Sequence, residues 1–436
     1  MIIRFVLLLT CVILFGQYKF EEPECDCDFI LEPDTEQLNG NKTFVKPGDV
    51  ICILGGKRRS LQLVNIQGDS LNPVKVVNCR GRVEISNNVF GYGIKLDNCQ
   101  YIHLTGSGVE DIKYGFLIDS TKKGASGIMV GNGSSDFEID HMEIKNSGFA
   151  GIMAKTDPDC EGTYNRGNFI QKNVLIHDNY IHHVNGEGLY VGNSFYSGWN
   201  GNKKCPDTLL FPHELKNIKI YNNKIANTKW DGIQLGCAVS DAEIFNNRID
   251  SFGLANIGSQ RNGIQVGLGT TGLVYNNRIL YGMGNGIIVI GIGDNIIYNN
   301  LIHDCKEYGI FCDNREVRDS SKIILVNNSI LNPKKQGIKM SNELTDNYIL
   351  NNIIIRPGEP GDKKDYYISF SDGAVAQTEG NFTSTNKAWI KPLLENRIVS
   401  DIAHKGKQQT VFVVETDING KVRRKSGVPD PGCVEF

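Results

Sequence analysis

Residues 218–236 read IKIYNNKIANTKWDGIQLG, residues 242–267 read AEIFNNRIDSFGLANIGSQRNGIQVG, and residues 273–291 read LVYNNRILYGMGNGIIVIG. One phrase is written three times. A short apolar run ends in a doubled Asn, and a second short run follows Gly-Ile. The first half recurs from VLIHDNYI to YILNNII, with the second residue of each pair at Asn179, Asn223, Asn247, Asn277, Asn300, Asn328 and Asn352. The steps are 44, 24, 30, 23, 28 and 24 residues. The second half recurs as GIMVG, GIMAK, GLYVG, GIFCD and GIKMS. A step of about 22 to 24 residues, lengthened here and there, marks a solenoid. The runs alternate with period two and are rich in Ile, Val and Tyr, so they are strands, while Asn and Gly supply the turns. They are too short for the helix pairs of a helical solenoid. Each repeat is therefore one coil that adds a rung to each of several parallel sheets. A column of the second Asn can hydrogen-bond along the axis, and the longer steps are loops inserted between coils.

Bulk properties fit a folded chain and narrow its partners. Of 436 residues, 40% are hydrophobic and 22% charged, which excludes disorder over most of the length. Gly outnumbers Pro by 48 to 13, as many tight turns require. The net charge is −3 and no basic block stands out, so nucleic acid is not an expected partner. The start, MIIRFVLLLTCVILFGQ, places Arg4 before an apolar run too short to span a membrane. Residues 1–17 read as a signal peptide and the mature chain as secreted and monomeric. Lipid anchoring at Cys11 fits less well, because apolar residues continue past it. Eleven cysteines remain after removal of that segment, an odd number that leaves at least one thiol unpaired.

The phrase VKPGDVICILGG (45–56) and the Asn–Asn and Gly–Ile repeats resemble the right-handed parallel β-helix superfamily that includes pectate lyases. The end, TDINGKVRRKSGVPDPGCVEF (416–436), resembles the closing segment of exported bacterial β-helix proteins. Asp417, Gly420, Arg423, Asp430, Gly432, Glu435 and Phe436 match it, while Cys433 replaces the usual Ala. The resemblance covers roughly residues 40–436 and implies an all-β, right-handed parallel β-helix, read here as 18–385 with an N-terminal capping region; residues 386–405 break the repeat, so 386–436 read as a small C-terminal cap. The cap is expected to hold a short helix and a hairpin turning at Asn419-Gly420, and to cover the last coil's edge. The resemblance implies fold and not chemistry. No motif of the known pectate lyases, polygalacturonases or chondroitin- and alginate-cleaving β-helices is matched, so no catalytic residue carries over.

Aligning the Gly-led runs puts equivalent residues on neighbouring coils about 4.8 Å apart. One outward column is then Met153, Tyr190, Gln234, Gln265, Ile288, Phe311 and Lys339. A second is Lys155, Gly192, Gly236 and Gly267, whose bare backbone would leave a shallow groove along the axis. A third, before each Gly, is Ala150, Glu187, Asp231, Asn262 and Asn285. Glu187 and Asp231 fall on adjacent coils, where repulsion should raise a pKa. The pair would suit a general acid beside a carboxylate base or nucleophile, a cation site, or simple turn residues bonded to local backbone. Lys155, Tyr190 and Arg261 are candidate bases or carboxylate-neutralising groups of a lyase, with Tyr190 a candidate acid. Gln234 and Gln265 are candidate substrate contacts, joined by the aromatics Trp230, Trp199 and Tyr196, which could stack on sugars or pack the loops.

The longest insertions, 156–172 and 193–215, flank this pair. Cys160 and Cys205 lie one in each and are expected to form a disulfide. No zinc spacing of cysteines appears and no metal ligand set is assigned. The run Asp157, Asp159, Glu161 resembles a calcium loop only in its acidity, so Ca²⁺ is a weak expectation. The reading at this point is a secreted carbohydrate-active protein on a linear polysaccharide, a lyase or glycoside hydrolase. The alternative is a glycan-binding or adhesion module without catalysis.

Overall fold

The structure, a computed structural model, describes residues 25–436 except 316, 317, 319, 345, 359–365, 398, 425–427 and 436. The expected signal peptide and Cys11 lie outside the described residues. From about residue 92 onward each coil carries three short strands. In the coil beginning at residue 218 these are the second half of Glu214–Tyr221, then Lys224–Ala226, then Ile233–Leu235. Every strand pairs in parallel with its equivalents on neighbouring coils, in register: Tyr221 with Phe245, Ile225 with Ile249, Ile233 with Ile264. The strands Gln100–Thr105, Ser135–Asp140 and Ile170–His177 are consecutive rungs of the first sheet, and Met142–Lys145 and Tyr180–His182 lie in the second. The third sheet runs from Gln37–Asn39 to Ile368–Phe370 and holds 12 strands. Alternate Ile, Val and Leu side chains fill the bore in one continuous core. Among the described residues no helix is long and apolar enough to cross a membrane.

The doubled Asn has two separate reasons. The first member takes the left-handed backbone: φ is 54° at Asn222, 55° at Asn246, 55° at Asn276 and 53° at Asn299. Asn tolerates that region better than other residues with a side chain. This residue makes the bend between the first and second sheets. The second member turns inward and is buried. Its Nδ2 donates to Oδ1 of the next coil's Asn at 2.9–3.1 Å, from Asn179 through Asn223, Asn247, Asn277, Asn300, Asn328 and Asn352 to Asn381. Outside, two residues before each ladder Asn, rings stack in a parallel file. Tyr221, Phe245, Tyr275 and Tyr298 have centroids 4.7–4.9 Å apart.

The glycine column is not the open groove expected. Gly192, Gly236 and Gly267 are buried and packed on a neighbouring coil's backbone. A Cβ on Gly192, which has φ +70°, would fall 2.0 Å from the Gly236 carbonyl oxygen. Glycine is there because there is no room, not because a surface is left bare.

The ends are tied down. Cys25–Cys79 and Cys27–Cys52 staple the N-terminal segment to the first coils. At the C-terminal end a 3-10 turn, Lys387–Trp389, and a short helix, Ile390–Leu394, follow the last strand, where Trp389 meets Phe382 at 5.3 Å. The segment then runs back along the flank of earlier coils instead of only covering the last edge. Buried Arg423 donates to Asn299 Oδ1 (2.8 Å), and Cys433 N donates to Ser329 Oγ (3.0 Å). The expected hairpin is a tight turn closed by one antiparallel bridge, Thr416 to Val422. Asp417 Oδ1 accepts from the amides of Asn419 and Lys421 there, which holds the turn without extended strands. The remaining motif residues interlock: Arg423 pairs with Glu435 (3.2 Å), and Glu435 N donates to Asp417 Oδ2 (3.1 Å).

Candidate active site

The register places Met153, Tyr190, Gln234, Gln265, Ile288, Phe311 and Lys339 in one file on the outer side of the third sheet. The residues preceding each Gly form a file beside it: Gly188 N donates to Asp231 O, and Gly232 N to Asn262 O. Glu187 and Asp231 are therefore neighbours on consecutive coils, and both are buried, at 1% and 0% exposure. Asp231 Oδ1 accepts from Asn262 N (2.5 Å) and Asn262 Nδ2 (3.0 Å), and Asn262 Oδ1 accepts from Asn285 Nδ2 (2.8 Å). This is a second side-chain ladder, and it ends in carboxyls. Asp231 Oδ2 and both Glu187 oxygens are buried without a hydrogen-bond partner.

Burial pushes the Glu187 carboxyl up to about 7, against a smaller opposing pull that includes the Lys155 charge. Asp231 is raised well above its ordinary value by burial, and the neighbouring Glu187 adds to the shift. Lys155 and Tyr190 are half-buried, less sealed than this pair, and Glu187 feels the Lys155 charge. Lys155 Nζ stands 5.4 Å from the Tyr190 ring centre, ion-pairs with Asp157 (2.5 Å) and reaches Asn193 Oδ1 (3.3 Å). The Tyr190 hydroxyl bonds Ser194 Oγ (3.2 Å). Its phenol is raised by burial and pulled back by Lys155. Phe149 packs edge-on against Trp230 (5.3 Å) and near Tyr190 (6.4 Å), forming an aromatic shoulder.

Other candidates are not brought here. Arg261 turns along the axis to Glu307 (3.0 Å) and Asn256, because its file continues into a carboxylate two coils on. Gln234 and Gln265 keep their outward register but are buried, at 2% and 7% exposure, so they offer no substrate surface. Tyr196 packs the insertion down. Its ring lies under Arg166 (3.8 Å) and over Gly269, and its hydroxyl donates to Glu214 (3.1 Å). Trp199 remains 38% exposed beside Phe195 (5.7 Å). The two insertions are joined by Cys160–Cys205 and by the bridge Asn165–Pro212, while Trp199–Leu210 closes the second insertion on itself. The acidic run is spent locally: Asp157 on Lys155, and Asp159 Oδ1 on the amide of Thr163 (2.8 Å). Among the described residues Cys99, Cys237, Cys305, Cys312 and Cys433 are buried and form no disulfide.

Sequence reasoning missed the densest group of titratable side chains, on the outer side of the first sheet: His103, Glu138, Asp140 and His177. Asp140 is held down to about 2. His103, Thr105 and His141 all bond it, and they outweigh its burial. The signal was present in YIHLT (101–105), FEID (137–140) and LIHD (175–178), where polar residues alternate with period two.

Comparison with solved structures finds similar chains at low identity. An alginate lyase from Paenibacillus sp. FPU-7 is 15% identical, with 67% of this chain and 93% of that chain covered and a TM-score of 0.39. A pectate lyase is 12% identical, with 93% and 89% covered and a TM-score of 0.40. A lacto-N-biosidase from Eubacterium ramulus is 11% identical, with 78% and 62% covered and a TM-score of 0.45. No curated protein matches the sequence. Residues 210–382 match the family model described as the right handed beta helix region. With strand pairing that carries the same coil far upstream of that match, the chain is a right-handed parallel β-helix.

Proposed function

We propose that the protein is a secreted enzyme that cleaves a linear, uronate-containing polysaccharide by β-elimination. Lys155 and Tyr190 meet the substrate, and Glu187 and Asp231 are the carboxyls beneath them. The observation that carries this reading is the half-buried Lys155–Tyr190 pair, coupled to a buried carboxyl whose pKa is pushed up to about 7. Elimination needs the uronate carboxylate neutralised, a proton removed beside it, and a proton returned to the departing glycosidic oxygen. Lys155 supplies the positive charge. Tyr190, as phenolate, takes the carbon-bound proton and gives it to the leaving oxygen. Ionised Glu187 would raise the Tyr190 pKa, whereas Lys155 lowers it. A protonated Glu187 thus removes one of the charges that oppose Lys155 at the phenol, where burial and Asp157 still act against it. A two-carboxylate hydrolysis needs one ionised partner, and burial favours the neutral form of both Glu187 and Asp231. That places a hydrolase second. The disulfides of the N-terminal segment and the insertions fit export to an oxidising compartment.

The test is a panel of acidic and neutral polysaccharides, read by the ultraviolet absorbance of unsaturated product and by reducing ends. On the responsive polymer Tyr190→Phe should lose at least about 100-fold in rate, as expected for a lost proton-transfer group. Wild-type turnover by Tyr190→Phe would sink the assignment. Reducing ends without absorbance would mean hydrolysis. Saturable binding without product would favour the glycan-binding reading, which exposed Trp199 on its disulfide-tied loop supports.

A further inference from the structure

We propose that His103, Glu138, Asp140 and His177 form a binding site for one divalent transition-metal ion of the zinc type. The four come from three consecutive coils of the first sheet. His103 is in register with Glu138, Thr105 with Asp140, and Asp140 with His177, so outward side chains meet across adjacent rungs. The donor atoms of His103, Glu138 and Asp140 all lie within 4.8 Å of one another, and His177 approaches the two carboxylates from the next coil. His103 Nε2 lies 2.5 Å from Asp140 Oδ2 and 3.8 Å from Glu138 Oε1, and His177 Nε2 lies 2.8 Å from Glu138 Oε1 and 4.0 Å from Asp140 Oδ2. A tetrahedral ion with bonds of about 2.0–2.1 Å holds its ligand atoms about 3.3 Å apart, inside this range. Small side-chain rotations convert the present contacts into a coordination shell. Two carboxylates balance a 2+ charge, and two imidazoles select zinc-like ions over calcium or magnesium.

Outer contacts are those that orient metal ligands. The second ring nitrogen of His177, Nδ1, is held by Asp178 (2.8 Å), the carboxylate–histidine–metal arrangement. Tyr221 stacks on the same ring at 4.5 Å and fixes its plane. Asp140 Oδ1, the oxygen turned away from the convergence point, accepts from Thr105 Oγ1 (2.5 Å) and is also bonded by His141. His103 and Glu138 are half-buried and line a surface cleft with Asp69, Ser70 and Tyr101, which provides an entry path. None of these residues is shared with Lys155 and Tyr190, so the site stands independently of the proposed activity.

The experiment uses the full mature chain stripped of metal by a chelator. Zn²⁺ is titrated against a chromogenic competitor, and Co²⁺ is added separately for its visible spectrum. One equivalent of Zn²⁺ and a tetrahedral Co²⁺ spectrum are expected. His103→Ala and His177→Ala should each weaken binding at least about 100-fold, and Asp178→Asn about 10-fold. His182→Ala, on the neighbouring sheet, and Tyr190→Phe should bind as the parent does. Far-ultraviolet circular dichroism identifies any variant that fails to fold. For such a variant the reading moves to Asp140→Asn, in which Zn²⁺ should no longer raise the unfolding midpoint as it does in the parent. Absence of saturable Zn²⁺ binding to the folded parent overturns the proposal, as does binding that survives His103→Ala and His177→Ala together.

Discussion

Asn277→Ala will destabilise the protein by about 3 to 5 kcal/mol, while Asn276→Ala, one residue away, will cost about 1 kcal/mol. Asn277 is fully buried in the middle of the ladder. Its Oδ1 accepts from the Asn247 amide and Asn247 Nδ2, both at 3.0 Å. Its Nδ2 donates to Ile244 O (2.8 Å) and Asn300 Oδ1 (3.0 Å). Truncation takes a partner from groups on both adjoining coils: Asn247 Nδ2 keeps Ile220 O and Asn300 Oδ1 keeps the residue 277 amide, but the buried Asn247 amide and Ile244 O lose theirs. Each such group costs about 1 to 3 kcal/mol, offset in part if water enters. Removing the side chain also opens a void that the stacked coils cannot close. Asn276 holds the left-handed bend at φ 55°, and Ala there meets only the backbone penalty. Urea unfolding of both variants checks the contrast. Equal losses at the two positions would show that the ladder contributes no more than the bend. Because coils contact only their neighbours, local opening around 277 should also appear as faster amide exchange in the adjoining rungs.

Glu187→Gln will stabilise the protein at about pH 8 by about 3 kcal/mol relative to its effect at about pH 4. The folded carboxyl titrates near 7 and the unfolded one near 4.5. Below the ordinary value both states hold the proton and the carboxyl carries no penalty. As pH rises from there to about 7, the unfolded chain ionises while the folded chain does not. Folding therefore loses about 1.4 kcal/mol per pH unit until the folded group titrates. Gln cannot ionise and escapes that loss. Asp231→Asn should act in the same direction, since Asp231 is also raised. The readout is the difference between the two pH–stability profiles, not their absolute height, so a packing cost of the amide does not confuse it. Parallel profiles from about pH 4 to pH 8 would mean that Glu187 is not the buried acid described here.

The coil, its step and the register of the Gly-led file were legible because they are local and periodic. Each coil writes its own Asn pair, and alternation with period two fixes which side chains face in. Asn179 to Asn352 could be laid out as a ladder before any coordinates, and Glu187 could be set beside Asp231. The final rung, Asn381, escaped because its strand lies beyond the last clear Asn–Asn phrase. Gln234 and Gln265 were correctly directed outward and wrongly taken as accessible, because outward register and solvent exposure are separate properties. Gly192 and Gly236 looked like bare surface for a related reason. A sequence shows a missing side chain, but not that the next coil's carbonyl stands 2.0 Å from where its Cβ would be.

The sequence alone therefore determined a parallel β-helix, the inward Asn column and the pairing of two carboxyls. All follow from a repeat in which each residue sees the same residue one coil away. Only the tertiary structure decided that both carboxyls are sealed from water and that Arg261 pairs with Glu307. It also decided that Arg166 and Tyr196 hold an insertion in place, and that His103, Glu138, Asp140 and His177 converge. Those outcomes depend on loops and rotamers that bring residues far apart in the chain to one point. No periodicity encodes them.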